Sequence, residues 1–292
     1  MNARERGFLL LTSHLGNPER QVLTTAQLRM LALRMQALDP VTDDRELSVA
    51  DLMCLGYQRD AAAQILTLLS QEAMLDAYLN RGAARGCTGI TRVSDRYPRL
   101  LRQRLGLDSP GCLWTRGDLD ILNTPAISLV GCRELGEPNR KFAEQVGYQA
   151  AVQGLTLVSG NARGADRAAQ EACLQAGGRV ISIVADRLDR YPERNLLYLS
   201  EDDFDEPFSA QRALSRNRCI HALGQLVFVA QSELQKGGTW SGTVKNLRFG
   251  WSPVVCFRDG SEASAMLEQM GAYQIGMEDL KAFRFPQGEK WM

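Results

Sequence analysis

Three short stretches of the sequence combine glycine with small or basic residues close behind an apolar run. They are VGCRELGEP at 130–138, VSGNARGAD at 158–166 and KGGTWSGT at 236–243. Glycine lets backbone N–H groups approach an anion closely, and Arg133 and Arg163 add guanidinium groups that match phosphate oxygens. We therefore expect the three stretches to form the floor of one phosphate-binding groove.

Two common nucleotide-binding motifs do not fit these stretches. Gly131 and Gly136 have the wrong spacing for the GxGxxG turn of nicotinamide-dependent enzymes. Ser159-Gly160 stands where such enzymes need an acidic residue to bind the ribose hydroxyls. No GxxxxGK[ST] sequence occurs, so no lysine is placed to neutralise a triphosphate. The sequence predicts no cofactor, and it disfavours both an oxidoreductase and an ATPase.

Residues for metal binding and covalent catalysis are also scarce. The histidines are His14 and His221, and the seven cysteines contain no CxxC pair, so their spacing supports no metal site. His221 lies in the helical pattern RNRCIHALG, and we interpret it as a packed or half-exposed helix residue. Scattered cysteines are typical of thiols in a reducing compartment. No apolar run approaches the roughly 20 residues of a membrane span, so we expect a cytoplasmic protein.

The charge balance limits the possible ligands. A net charge of zero argues against a protein that coats nucleic acid without specificity. Of the 34 basic residues only five are lysines, which leaves 29 arginines. Arginine suits bidentate phosphate recognition, but a genome rich in arginine codons would give the same bias. The positions of the arginines must therefore decide between the two explanations.

The first 80 residues read as a helical N-terminal domain. The segment SVADLMCLGYQRDAAAQILTLL predicts a helix capped by Ser48, a turn at Gly56 and a second helix. Another helical pattern, LTTAQLRMLALRMQAL, places four apolar side chains on one face: Leu28, Leu31, Met35 and Leu38. Such helices could hold a DNA backbone or pack in a domain or dimer contact. Residues 81–125 read as a loop-rich, locally basic extension of the core.

The sequence pattern changes after residue 125. Short apolar runs alternate with helical stretches, and the runs are AISLVG, LTLVSG, RVISIVA, QLVFVA and PVVCF. This alternation predicts an α/β protein with an extended, Rossmann-like, doubly wound and mostly parallel sheet. We assign the core to residues 126–275 and a C-terminal tail to residues 276–292. Ligands of such sheets bind at the carboxyl ends of the strands.

Several segments together resemble the DprA/Smf family of bacterial DNA-processing proteins. They are YPRLL, LWTRGDLDILNTPAISLVGCRE, LVSGNARGADRAAQEACLQAGGRVISIVADRLDRYPERN and FSAQRALSRNRCIHALGQLVFVAQ. The resemblance covers about residues 80–258. It implies an extended Rossmann fold, binding of single-stranded DNA, a homodimer, and loading of a RecA-type recombinase during natural transformation.

The resemblance also implies a set of binding residues. Gly131, Cys132 and Arg133 stand where the family has the Gly-Ser-Arg of its phosphate-binding turn. The whole predicted phosphate-binding or nucleic-acid-binding set is Gly131, Cys132, Arg133, Ser159, Gly160, Arg163, Gly164, Arg216, Asn217, Arg218, Gly237, Gly238 and Thr239.

Some roles within this set stay open. Asp166 matches the second glycine motif but could be a helix cap. Gly160 is expected to turn sharply at positive φ and to expose its N–H to the ligand. Arg216 and Arg218 lie two apart on a helix, so one should reach the groove and the other should stabilise the structure. Few aromatic residues lie near the groove in sequence, namely Tyr191 and Trp240, so we expect mostly phosphate contacts.

The sequence departs from the family in two places. GGTWSGT replaces the usual glycine-serine-leucine stretch and is similar to the glycine loop of the phosphoribohydrolases of cytokinin activation. Aligning the two loops puts Asn246 where those enzymes have a catalytic glutamate, so hydrolysis is disfavoured and we predict a non-enzyme. Only 17 residues follow Ile275, too few for the C-terminal winged helix that many members carry.

These observations give three hypotheses for function. The leading one is a non-catalytic protein that binds single-stranded DNA in DNA processing, recombination or natural transformation. The alternative is a sensor of a nucleotide or nucleotide signal, in anti-phage defence, which uses the same groove for one small ligand. The third, a hydrolase of nucleoside monophosphates, is the weakest because of Asn246.

Overall fold

The structure is a computed structural model that describes residues 1–36, 46–192 and 196–285. The chain divides into two compact units. The first comprises Met1–Arg85 and Gly89–Tyr97, and the second comprises Gly86–Thr88 and the chain from Pro98 onward. The domain boundaries drawn from the sequence pattern remain a prediction.

The first unit is helical. Its helices are α1 (Ala3–Thr12), α2 (Thr25–Gln36), α3 (Val49–Cys54), α4 (Arg59–Leu69) and α5 (Glu72–Ala83). Ser48 caps α3 as predicted: its hydroxyl accepts a hydrogen bond from the N–H of Asp51, whose carboxylate accepts one from the N–H of Ser48. Gly56 turns the chain at a φ of 84°, in the region that favours glycine. The predicted helix, turn and helix are confirmed.

The predicted apolar face of α2 is only partly correct. Leu31 is buried in a cluster with residues of α1, α3 and α4, and Leu28 packs against it. Met35, in the last turn of α2, is 40% exposed and lies outside this cluster. Leu38 lies outside the described residues.

The second unit alternates strands and helices. Strand β1 (Thr88–Thr91) begins in this unit and is followed by α6 (Arg99–Leu105), β2 (Cys112–Gly117), β3 (Ala126–Val130), α7 (Glu137–Val152), β4 (Thr156–Ser159), α8 (Ala165–Gln175), β5 (Arg179–Ile183), β6 (Leu196–Ser200), α9 (Ala210–Ser215), α10 (Asn217–Leu223), β7 (Val227–Val229), α11 (Gly237–Phe249), β8 (Val254–Phe257), α12 (Glu262–Gln269), β9 (Tyr273–Ile275) and α13 (Met277–Ala282). The five strands predicted from apolar runs are β3, β4, β5, β7 and β8.

The strands form one sheet with the order β1-β2-β6-β5-β4-β3-β7-β8-β9. Adjacent strands from β6 to β9 in this order are parallel, and β2 pairs antiparallel with β6. The sheet is therefore mostly parallel, and the Rossmann-like prediction is confirmed. The sequence pattern did not predict β1, β2, β6 and β9. Strands β1, β2 and β9 contain polar, partly exposed residues and lack the continuous apolar signal of a buried parallel strand. Strand β6 is apolar and fully buried, and the sequence reading missed it.

The strand order reverses between β3 and β7. From β3 the chain adds β4, β5 and β6 on one side and then returns to add β7, β8 and β9 on the other. The loops after β3 and β7 therefore leave the sheet in opposite directions and open a crevice between them. Ligands of open α/β sheets bind at such a switch point.

Across the three described ranges, no helix has the length and hydropathy that a membrane span requires.

Candidate anion-binding groove

A cleft of about 660 Å³ lies at the switch point, where the loop after β3 faces the start of α11. Nine of the thirteen predicted residues line it: Gly131, Cys132, Arg133, Arg163, Arg216, Asn217, Gly237, Gly238 and Thr239. A smaller pocket of about 300 Å³ adjoins it and is lined in part by Gly160. Both share Arg133, Ala162, Arg163, Ala213 and Arg216. We call the cleft and the pocket together the groove.

Two glycines let the loops after β3 and β4 pack against each other. A Cβ at Gly131 would lie 2.5 Å from the Cβ of Ala165, which is closer than real Cβ atoms approach. Gly164 has a φ of 91°, and a Cβ there would overlap the carbonyl oxygens of Cys132 and Arg133. Gly164 does not line the groove itself. Its contribution is to hold the Arg133 turn in place.

Asp166 braces the loop after β4. Its Oδ2 accepts hydrogen bonds from the N–H of Gly160 and the N–H of Ala162, both at 3.1 Å. The side chain is buried, which raises its pKa, while Arg216 and the two N–H groups act in the opposite direction. The expectation that the Gly160 N–H is exposed to a ligand is therefore wrong, because the Asp166 carboxylate already accepts that hydrogen bond.

Gly160 is required for a different reason from the one expected. Its φ is not positive. Instead, a Cβ on Gly160 would overlap the guanidinium group of Arg216. The missing side chain leaves the space that this guanidinium occupies.

Arg216 and Arg218 have different roles, as the helical spacing requires. Arg216 is only 7% exposed, donates from Nη2 to the carbonyl oxygen of Gly160 at 3.0 Å, and lines both parts of the groove. Its Nε is buried without a hydrogen-bond partner among the described residues. Burial lowers the pKa of Arg216, and the carboxylate of Asp166 opposes this. The guanidinium lines the cleft, and its positive charge can attract an anion there.

Arg218 stabilises the structure instead. Its guanidinium forms an ion pair with Glu201 at 2.8 Å, and its Nε donates to the carbonyl oxygen of Asp108 at 3.1 Å. The Arg218 side chain lines neither part of the groove. The geometry therefore assigns the groove contact to Arg216.

Arg133 and Arg163 are the exposed arginines of the groove. Arg163 lies 3.4 Å from Glu134, and both side chains are largely exposed, so solvent weakens this ion pair. Both arginines remain accessible to a ligand. Together with the buried Arg216 they place three guanidinium groups along the line where the cleft meets the smaller pocket.

The N-terminus of α11 forms the opposite wall. No side chain caps the helix, which begins at Gly237, and its first N–H groups carry the positive end of the helix dipole. Asn217 anchors this wall, because its Nδ2 donates to the carbonyl oxygen of Gly238 at 3.1 Å. Asn217 thus acts on the groove through the backbone of α11.

Ser159 does not belong to the groove surface. It is fully buried, its hydroxyl is hydrogen-bonded to Gln170, and Gln170 also bonds to Ser182. These contacts connect α8 to β4 and β5. The predicted ligand contact from this hydroxyl is replaced by a contact within the core, since the side chain at the end of β4 points into the sheet packing.

Asn246 and His221 form a buried pair away from the groove. Both are fully buried, and Nδ2 of Asn246 lies 3.2 Å from Nδ1 of His221, while Oδ1 of Asn246 accepts from the N–H of Ser252 at 2.9 Å. Burial lowers the pKa of His221 to about 3. Asn246, which the loop alignment placed at the position of the hydrolase glutamate, therefore joins α11 to α10 and to Ser252, just before β8.

The groove also contains residues that the sequence pattern did not select. Glu233 and Lys236 line the cleft, and Asn161, Asp186 and Phe208 line the smaller pocket. Asp186 follows β5 closely, so the strand-end rule used for the other loops would have found it. Of the two aromatic residues expected near the groove, Tyr191 lines the smaller pocket and Trp240 lines neither part, while Phe208, which is 55% exposed, was not expected. Among the described residues, no cluster of histidine, cysteine and carboxylate side chains could hold a metal ion.

These features define a Rossmann-like α/β protein with an arginine-lined groove at its switch point. The family model described as DNA recombination-mediator protein A matches residues 88–275. The match covers more than half of the chain, and the chain belongs to this family, which is the DprA/Smf family.

The chain is similar to two curated members over much of its length. DNA processing protein DprA of Streptococcus pneumoniae strain R6 is 35% identical over 205 residues, which cover 66% of this chain and 70% of that protein. Protein Smf of Escherichia coli K12 is 30% identical over 160 residues, which cover 51% of this chain and 42% of that protein.

Two solved structures share the fold. The X-ray structure of DprA from Streptococcus pneumoniae superposes with a TM-score of 0.72 at 25% identity and covers 98% of this chain and 100% of that one. DNA processing protein A from Helicobacter pylori, described for its single-stranded DNA binding mode, gives a TM-score of 0.56 at 23% identity, with 67% and 93% of the chains covered. At this level of identity, the similarity to the Helicobacter pylori protein concerns the fold alone.

The buried His221 should make stability depend on pH. Its pKa is about 3 in the folded chain and about 6.5 when unfolded, so the unfolded chain binds the extra proton between these values. The contribution of His221 to stability is therefore lost as the pH falls below 6.5, by about 2 kcal/mol between pH 7 and pH 5. Burial raises the pKa of Asp202 to about 6, which acts in the opposite direction over this range, so denaturant unfolding at both pH values must be compared between the parent and a His221 variant. A His221→Gln variant should lose about that part of the pH dependence, and an unchanged dependence would contradict the assignment.

Proposed function

We propose that the chain binds single-stranded DNA in the groove as a non-catalytic protein of DNA processing and recombination. The observation that carries the proposal is the position of Arg216, a buried guanidinium that lines both parts of the groove together with the exposed Arg133 and Arg163. The buried charge favours an anion that also contacts the exposed Arg133 and Arg163. Phosphates of a DNA backbone provide such anions in series.

The shape of the groove favours a chain of nucleotides over a single one. The cleft and the smaller pocket are continuous through Arg133 and Arg216, and their volumes are about 660 and 300 Å³. A mononucleotide would occupy only part of this length. A strand can place successive phosphates along the arginines and the α11 N-terminus, and membership in a family of DNA-processing proteins supports this choice.

A binding role agrees with the chemistry of the groove. The Asn246 amide is locked in the core and cannot act as the missing glutamate. Burial raises the pKa of Cys132, and the nearby Glu233 adds to this, so the thiol is a poor nucleophile at neutral pH. We infer that the groove holds its ligand without changing it covalently.

The proposal includes partners and a location. The family resemblance implies a RecA-type recombinase that receives the bound strand, and a second copy of this chain in a homodimer. All seven cysteines are free, which agrees with a reducing compartment such as the cytoplasm. These partners follow from the proposed DNA-binding role and not from a contact in the structure.

A nucleotide sensor is the second candidate. The smaller pocket supports it, because Tyr191 and Phe208 could stack on a base and Asp186 could accept a hydrogen bond from it. In this case one nucleotide would fill the pocket and place its phosphate beside Arg216.

A binding titration separates the two candidates. We expect a labelled single-stranded oligonucleotide of about 16 bases to bind with affinity that falls steeply as salt rises, because phosphate contacts release counterions. Fluorescence anisotropy over a series of salt concentrations measures this. Tight binding of mononucleotides with no binding of the oligonucleotide at low salt would favour the sensor.

Replacing Arg133 tests one phosphate contact. The Arg133→Ala variant should bind the oligonucleotide more weakly, and the slope of log affinity against log salt should fall by about 0.7, the value for one contact to a single strand. The same anisotropy titration measures both quantities.

Arg179→Ala is the matched control for Arg133. Arg179 is exposed and lies at the start of β5, at the sheet edge opposite the groove, so its loss removes the same charge without a groove contact. Equal losses of affinity in the two variants would show a general charge effect instead of a contact with Arg133.

Replacing Gly160 tests whether binding requires the guanidinium of Arg216 at its position in the groove wall. In Gly160→Val the new side chain overlaps the guanidinium of Arg216 and pushes it out of the groove wall. Binding of the oligonucleotide should be abolished while a thermal melt still shows a folded protein. Gly7→Ala, at a helix position with open space around it, should bind like the parent. Normal affinity in a folded Gly160→Val protein would move the ligand to another site.

A further inference from the structure

An aromatic pair lies at the far end of α11, formed by the exposed Phe249 and the half-buried Trp251. The rings of Phe249 and Trp251 are stacked with centroids 5.6 Å apart and an angle of 14° between their planes. Phe249 is 61% exposed, the highest exposure of any phenylalanine in the described residues. The guanidinium of Arg248 lies 5.6 Å from the centre of the Phe249 ring. This end of the helix therefore combines aromatic rings with a guanidinium that lies over one of them.

A basic face of α11 connects this pair with the groove. Ser241, Lys245 and Arg248 are exposed and follow one another at intervals of four and three residues, so they share one face of the helix. Lys236, directly before the helix, is exposed and lines the cleft. A helix of 13 residues is about 20 Å long, so the face runs that distance from the cleft to the aromatic pair.

The charge of this face favours an anionic polymer. The sequence of α11, GGTWSGTVKNLRF, contains two cations and no acidic residue. Over the described part of the chain, neither Lys245 nor Arg248 has an ion-pair partner. The other long helices of the same unit, α7 and α8, both contain acidic residues. The face of α11 thus lacks the mixed charges typical of a solvated helix surface.

We propose that the α11 face is a second contact site for the single-stranded DNA held in the groove. Lys245 and Arg248 bind backbone phosphates, and the Phe249–Trp251 pair stacks on a base. Stacking on aromatic rings does not depend on base sequence, because each base has a flat face, and it is worth about 1–3 kcal/mol per base. This site rests on the proposed function of the groove, because the DNA strand bound in the groove would continue along α11.

Two oligonucleotide lengths test the site. The aromatic pair lies about 20 Å from the cleft along α11, so an oligonucleotide of about 4 bases should fill the groove alone and one of about 16 bases should also reach the pair. Phe249→Ala should weaken binding of the longer oligonucleotide about tenfold, the equivalent of 1.4 kcal/mol, and leave binding of the shorter one unchanged. Phe249→Tyr keeps the ring and should bind both like the parent.

A charge variant tests the phosphate contact independently. Lys245→Gln should lower the salt slope for the longer oligonucleotide by about 0.7 and leave the slope for the shorter one unchanged. Lys281→Gln is the matched control, because Lys281 is an exposed lysine on α13 that belongs neither to the groove nor to α11. It should change neither slope.

The outcomes separate this site from the groove. If the parent binds the short oligonucleotide and Phe249→Ala binds the long one with parental affinity, the α11 site is wrong and the groove stands. If Phe249→Ala changes only the mass measured by light scattering, the pair is a contact between copies of the chain and the α11 site is also wrong. If the parent binds neither oligonucleotide, the proposed function and this site both fail.

Discussion

The buried guanidinium of Arg216 is the group on which the rest of the groove depends. A buried charge is costly unless it is compensated, and here the compensation is the carbonyl oxygen of Gly160 and the field of Asp166. Gly160 must lack a side chain to leave room for the guanidinium. The carboxylate of Asp166 in turn fixes the loop that carries Gly160. The groove wall is therefore one interdependent unit and not a set of separate ligand contacts.

This arrangement explains why the groove suits an anion although the chain has no net charge. Most surface cations and anions offset one another, but an arginine held at low dielectric keeps a strong local field. Glycine turns bring the other two arginines close to it, and Asn217 holds the N-terminus of α11 opposite. The positive charge of the groove therefore comes from where these arginines lie in the fold and not from the overall composition of the chain.

Asn246 occupies a buried packing position between α10 and α11. Asn246 bonds to Ser252, and its amide faces His221, which burial keeps neutral. An ionised glutamate in this fully buried place would face a neutral ring and would need a compensating charge. The amide avoids that cost, and its hydrogen bonds give α10 and α11 a stable contact.

The sequence by itself determined the alternation of β3, β4, β5, β7 and β8 with helices, because buried parallel strands leave a continuous apolar signal. It also placed glycines and arginines after the carboxyl ends of strands, and in a parallel sheet these ends all lie at one edge. The tertiary structure alone decided that Arg216 faces the groove while Arg218 pairs with Glu201, and that the Ser159 hydroxyl turns into the core. Helical spacing shows that two side chains diverge, but which of them meets a carboxylate depends on neighbours far apart in the chain.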